Sequence, residues 1–92
     1  MKISGIKTFE INPGEIVGPG RTWLFVRVDT DEGISGWGEA TNSGAGSNTL
    51  IKTAIELITP DLVGENVEDI ERLWHKMFRR FSYLGSRGLP TA

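Results

Sequence analysis

The 92 residues contain no cysteine, which excludes a disulfide framework, a thiolate metal site and a cysteine nucleophile. Histidine occurs once, at His75, within a helical pattern beside an apolar stripe, where a boundary residue is the ordinary reading. Neither sign of charge dominates: ten Lys and Arg stand against twelve Asp and Glu, a net charge of −2. That balance gives no electrostatic case for nucleic acid or for an anionic membrane. No apolar run approaches the roughly 20 residues of a membrane span, and the N-terminus lacks the apolar stretch of a secretory signal. A cytoplasmic protein is expected. A chain this short is one domain at most, with a modest core and a thin margin of stability.

Glycine is what the chain has in excess. Twelve glycines are about twice the roughly 7% norm, clustered at 14–20, 33–46, 85 and 88, as turns and loops rather than a repeat. Between the first two clusters runs the stretch that organises the rest, residues 22–40 (TWLFVRVDTDEGISGWGEA). Leu24, Val26 and Val28 alternate with Trp23, Phe25, Arg27 and Asp29, the period-two signature of a strand. Residues 30–33 supply turn chemistry, with Gly33 free to take positive φ. The chain then returns through Ile34 to Ala40, where glycines remove side chains from one face and let something lie close to the backbone.

Before this hairpin, residues 2–11 read as a strand with Ile3, Phe9 and Ile11 on one side and Ile6 on the other. Residues 12–14 (NPG) stop it. Short connections favour an antiparallel meander of three strands. Ser47 or Asn48 then caps a helix, Leu50, Ile51, Ala54, Ile55, Leu57 and Ile58 recur at helical spacing, and Pro60 ends it. After a connector, Asn66 caps a second helix over 67–81. Its apolar stripe is Val67, Ile70, Leu73, Trp74, Met77, Phe78 and Phe81. Acidic residues lead, basic residues follow, and Glu68 with Arg72 forms an i,i+4 pair. Two helices cannot cover both faces of the sheet and so broad a stripe, so Trp23 and Phe25 face outward and imply a partner. Residues 86–92 read as the entry to another element, and the chain as a piece of a longer protein.

Motifs for chemistry are weak. A metal site from Glu65, Glu68, Asp69 and Glu71 is disfavoured, because these carboxylates spread around a helical turn. Residues 20–22 lack the remainder of a phosphate loop. Residues 44–49 carry two of the three glycines of a dinucleotide fingerprint, with Thr49 in the third position and no acidic-ended strand following. No self-sufficient catalytic constellation is present. Two glycine-rich loops at strand ends are the natural binding elements.

The hairpin pattern TDEG…GWGE, the connector PDLVG at 60–64, the helix VEDIERLWHKMF at 67–78 and the tail GSRGLP at 85–90 together resemble the N-terminal capping domain of the enolase superfamily. Within it they resemble the mandelate racemase and muconate lactonizing enzyme branch, over essentially the whole chain. The resemblance implies an α+β fold, a three-stranded antiparallel meander followed by helices, truncated before a modified (β/α) barrel. It implies that the barrel binds Mg²⁺ through three carboxylates and carries Lys or His bases that remove a proton α to a carboxylate. No catalytic residue or metal ligand is then expected in this chain. Capping loops at 13–21 and 42–47 would close over the barrel mouth. On them Arg21 would meet a carboxylate or hydroxyls, Ile16 and Val17 would give apolar cover, and Asn42, Ser43 and Gly44 would contact substrate. Tyr83 and Arg87 are lesser candidates.

The expected domain organisation is one partial capping domain over 1–92, with strands near 2–11, 22–30 and 34–40 and helices near 48–59 and 67–81. Its partners would be its own C-terminal barrel and a small carboxylate such as a sugar acid, with no nucleic acid and no membrane, in a homo-oligomer. An acid-sugar dehydratase is the leading activity of the parent protein, a racemase or cycloisomerase the alternative. A reading of another class is a stand-alone α+β binding or assembly module using Trp23 and Phe25. A third is a nucleotide-binding domain using residues 44–49.

Overall fold

In the computed structural model, which describes residues 1–12, 22–40 and 46–81, three strands precede two helices. The strands are β1 (Ile3–Ile11), β2 (Trp23–Thr30) and β3 (Ser35–Ala40). They form one antiparallel sheet in the order β1-β2-β3, the expected meander. The β2–β3 turn closes as its residues dictate: Gly33 has φ of 79°, its N–H donates to the Thr30 carbonyl at 3.3 Å, and the Thr30 hydroxyl donates to the Ile34 carbonyl at 2.7 Å.

One face of the sheet carries Leu24, Val26 and Val28, and turns toward the helices. Strict alternation along β1 would place Ile3 on the opposite face from Ile6. The structure differs: Ile3 pairs with Thr30 and Gly5 with Asp29, so an irregularity between Ile3 and Gly5 inserts an extra residue. Such a bulge changes the parity of the strand. Ile3 is therefore buried with Leu62 and Leu73, and Ile6 packs against the same cluster together with Val28, Ile58, Val67 and Met77. Leu24 is wholly enclosed.

Helix α1 spans Ser47–Leu62 and α2 spans Ile70–Arg80. Three expectations are corrected here. The cap of α1 is Gly46, at φ 78°, with no side-chain cap bond, because Asn48 is buried and bonded elsewhere. Pro60 lies inside α1 rather than ending it. Its ring removes the donor that Glu56 would normally receive, but only in the last turn, and beyond it the Val63 N–H still reaches the Thr59 carbonyl at 3.1 Å while Leu62 is buried. Asn66 does not open α2. Its side chain accepts from the Glu68 N–H at 3.1 Å, forming a local turn that postpones the helix to Ile70.

The connector between the helices is pinned to the start of β1. Ile3 N–H donates to the Glu65 carbonyl at 2.9 Å, Gly64 N–H to the Ile3 carbonyl at 2.8 Å, and Val67 N–H to the Met1 carbonyl at 3.1 Å. Gly64 takes φ of 90° to make this reversal. The apolar stripe of α2 divides: Leu73 and Met77 face the core, whereas Ile70 is 73% and Trp74 53% exposed. Trp74 instead stacks on Phe78, with ring centroids 5.2 Å apart.

Candidate functional site

Every predicted contact residue — Ile16, Val17, Arg21, Asn42, Ser43, Gly44, Tyr83 and Arg87 — lies outside the described residues. What the structure describes is the framework from which those segments depart and to which they return. β1 leads into 13–21 and β2 receives it. β3 leads into 41–45 and α1 receives that.

At this junction three polar side chains meet. The Thr22 hydroxyl donates to Glu10 Oε1 at 2.9 Å. Asn48 Nδ2 donates to the Thr22 carbonyl at 2.6 Å and lies 3.2 Å from Thr22 Oγ1. Asn48 is only 5% exposed, and its Oδ1 is buried without a hydrogen-bond partner among the described residues. Periodicity marks Asn48 as a cap and misses this role, since its partner is 26 residues away. The small polar residue beside a glycine-rich loop is the one local signal.

The sheet face away from the helices carries a second cluster. Arg27 pairs in register with Lys7 on one side and Trp37 on the other. Its guanidinium lies 5.5 Å from the Phe9 ring centre and 5.8 Å from that of Trp37, a cation–π arrangement. Phe9 and Trp37 are 5.4 Å apart. Asp29 holds the guanidinium in place, with Nε 2.7 Å from Oδ1 and Nη2 donating to Oδ2 at 3.2 Å. Ser35 donates to Asp29 Oδ1 at 2.8 Å. The Ser35 hydrogen bond first, and Arg27 second, hold the Asp29 carboxyl below its ordinary range. Of the two aromatic residues expected to face outward, Trp23 is 40% exposed while Phe25 is half-buried; Trp37, not named from the sequence, is 62% exposed.

Glu65, Asp69 and Asp61, near α2, are engaged with cations. Arg72 bonds Glu65, and also Asp69 at 3.0 Å, rather than pairing with Glu68 as spacing suggests. The connector's return to β1 is what brings Glu65 within reach. Arg72 lowers the Glu65 pKa, and Glu65 in turn raises that of Arg72. Lys76 donates to the Asp61 carbonyl at 2.7 Å, and Arg80 stands 3.7 Å from the Asp61 carboxylate. Among the described residues no group of three His, Cys, Asp or Glu could hold a metal ion.

Between sheet and helices lies a cleft of about 300 Å³, with Ile6, Val26 and Val28 on one wall and Ile55, Ile58, Ile70 and Met77 on the other. Every lining residue is apolar, so the cleft has nothing to orient a hydroxylated acid. A Cβ built on Gly36 or Gly38 meets no atom within 4 Å, so among the described residues nothing packs over those two glycines. No helix among them is long and apolar enough to cross a membrane.

The N-terminal domain model of the mandelate racemase / muconate lactonizing enzyme family matches residues 19–87. Over all 92 residues the chain is 33% identical to a D-galactonate dehydratase of Verminephrobacter eiseniae, spanning 22% of that protein. It superposes on the 3,6-anhydro-D-galactonate cycloisomerase of Zobellia galactanivorans with a TM-score of 0.81 at 30% identity, over 98% of this chain and 24% of that one. A mandelate racemase/muconate lactonizing protein of Paracoccus denitrificans, solved in complex with magnesium, gives a TM-score of 0.75 at 30% identity, over 98% and 23%. The chain spans less than a quarter of the length of each of these relatives.

Proposed function

The chain belongs to the mandelate racemase / muconate lactonizing enzyme family as its N-terminal domain, and from that premise we propose that it is the capping part, over 1–92, of a longer acid-sugar dehydratase. The reaction is a β-elimination: a proton leaves the carbon α to the carboxylate, hydroxide leaves the neighbouring carbon as water, and the resulting enol becomes a 2-keto acid. Mg²⁺ would stabilise the charge that develops on the carboxylate, held by carboxylates of a following (β/α) barrel, which would also supply the bases. The observation that carries this reading is 33% identity to a D-galactonate dehydratase over all 92 residues, which span 22% of that protein.

On this reading 13–21 and 42–47 face the substrate. Arg21 meets its carboxylate or hydroxyls, Ile16 and Val17 exclude water, and Asn42, Ser43 and Gly44 make polar contacts, with Tyr83 and Arg87 more peripheral. The partners are the protein's own barrel and a sugar acid, in a cytoplasmic homo-oligomer. The test is turnover of D-galactonate and related sugar acids by the full-length protein with Mg²⁺. The 92-residue chain alone is expected to be inactive, and activity in it would overturn the assignment. Arg21→Ala in the full-length enzyme should raise KM by roughly tenfold or more with less effect on kcat; an unchanged KM removes Arg21 from the contact set.

The likeness to the Zobellia galactanivorans cycloisomerase supports a second reading, in which the same proton abstraction is followed by ring opening or isomerisation. Product analysis separates the two, because only the dehydratase releases water from an acyclic sugar acid. A third reading is a stand-alone assembly module using Trp23, which is exposed, and Phe25, which is half-buried. A stop codon directly after Ala92 in the native gene would select it.

A further inference from the structure

We infer that Asn48 is a positioning residue that joins the C-terminal feet of the two chain segments 13–21 and 41–45 through Thr22. The inference rests on the reading of those segments as substrate-facing. Thr22 is the first residue after 13–21, and Asn48 stands in the first turn of the helix that follows 41–45. The Asn48 amide donates to the Thr22 main-chain oxygen at 2.6 Å and approaches its hydroxyl at 3.2 Å. That hydroxyl donates onward to Glu10 at 2.9 Å, one of the last residues of β1. Both feet of the first segment and the far foot of the second thus belong to one chain of polar contacts.

The site is built for a donor. Asn48 is 5% exposed, and its Oδ1 is left without a partner among the described residues, an arrangement that a position serving packing alone would avoid by using an apolar side chain. Among the described residues only the amide N–H₂ is used, and both of its contacts are to Thr22. Glu10, at the end of the cluster, pairs in register with Leu24, which is wholly enclosed.

Amide hydrogen exchange of the full-length protein tests the clamp. Asn48→Asp removes the donor with almost no change of shape and sets a carboxylate against the Thr22 carbonyl. It is expected to speed exchange in both 13–21 and 41–45 by roughly fivefold or more, leaving β2, β3 and α2 unchanged. Thr22→Val breaks only the Glu10 leg and the weaker Asn48 contact, so exchange should rise in 13–21 alone, and Thr22→Ser should restore it. Unchanged exchange in both segments, or a uniform rise across the chain that Thr22→Ser does not reverse, overturns the proposal. Should Asn48→Asp fail to fold, the Thr22→Val and Thr22→Ser pair decides. Failure of the substrate-facing reading shows separately, as an unchanged KM in Arg21→Ala beside a coupled exchange response.

Discussion

Arg27 and Asp29 stand two residues apart on β2, on the same face of the sheet, with Nε 2.7 Å from Oδ1. The contact has a consequence for acid stability. Ser35 and Arg27 lower the Asp29 pKa in the folded state below its ordinary 3.8. A carboxyl whose folded pKa is depressed contributes stability above the unfolded pKa, and that contribution is lost as pH falls through the folded value. Denaturant midpoints measured from pH 6 down to pH 2 should therefore fall below about pH 4, and fall less steeply in Asp29→Asn. Parallel curves would mean that the pair makes no difference between the folded and unfolded chain. The effect should be modest and reduced by salt, because the pair faces solvent.

Leu73 and Ile70 are separated by a single turn of α2, yet one is buried in the cluster with Ile3 and Leu62 and the other is 73% exposed. Leu73→Ala should cost about 2–5 kcal/mol, enough to threaten so small a domain. Ile70→Ala should cost within about 0.5 kcal/mol in the isolated chain. Urea denaturation of the two variants checks the contrast. Equal losses would mean that α2 is rotated relative to the sheet.

Much of this fold is local in origin and could be read in order. The alternation in β2, the turn at 30–33 and the apolar repeat of the helices are written in adjacent residues, and the three-stranded meander followed by helices is observed. What escaped depends on contacts between distant residues. Nothing in residues 3–5 announces the bulge that turns Ile3 inward; it follows from the connector at 64–67 hydrogen bonding to the first three residues. The continuation of α1 through Pro60 depends on burial of Leu62, and the partner of Arg72 on where the chain places Glu65. The contact residues named from the resemblance fall at 13–21, 41–45 and 82–92, outside the described residues, whereas Asn48, Thr22 and Glu10 became a cluster only through tertiary structure.

Arg72 reaches Glu65 and Asp69 at once, and Lys76 stands 3.7 Å from Glu65. All of these side chains are in contact with water, so the network should tie the connector to α2 only weakly. Arg72→Met is expected to lower the melting temperature slightly at low ionic strength, and the difference from the parent should shrink in 1 M salt, where the screening length is about 3 Å. A difference that survives high salt would point to packing of the Arg72 stem rather than to its charge.

The residue before Glu65 should matter more than Glu65 itself. Gly64 takes φ of 90°, and its N–H donates to the Ile3 carbonyl at 2.8 Å while the next carbonyl accepts from Ile3. A Cβ at Gly64 would meet no atom within 4 Å, so the penalty of Gly64→Ala is conformational and not steric. An L-residue held in the left-handed region costs about 1–2 kcal/mol, to which is added any loss of the two hydrogen bonds that bring Ile3 into the core. Gly36→Ala is the control: it too has open space but lies in β3 with no positive φ, and in the isolated chain it should be neutral or slightly stabilising. Chemical denaturation should thus rank Gly64→Ala well below Gly36→Ala. The reverse order would place the reversal at 64 elsewhere, and with it the pairing that turns Ile3 toward Leu62 and Leu73.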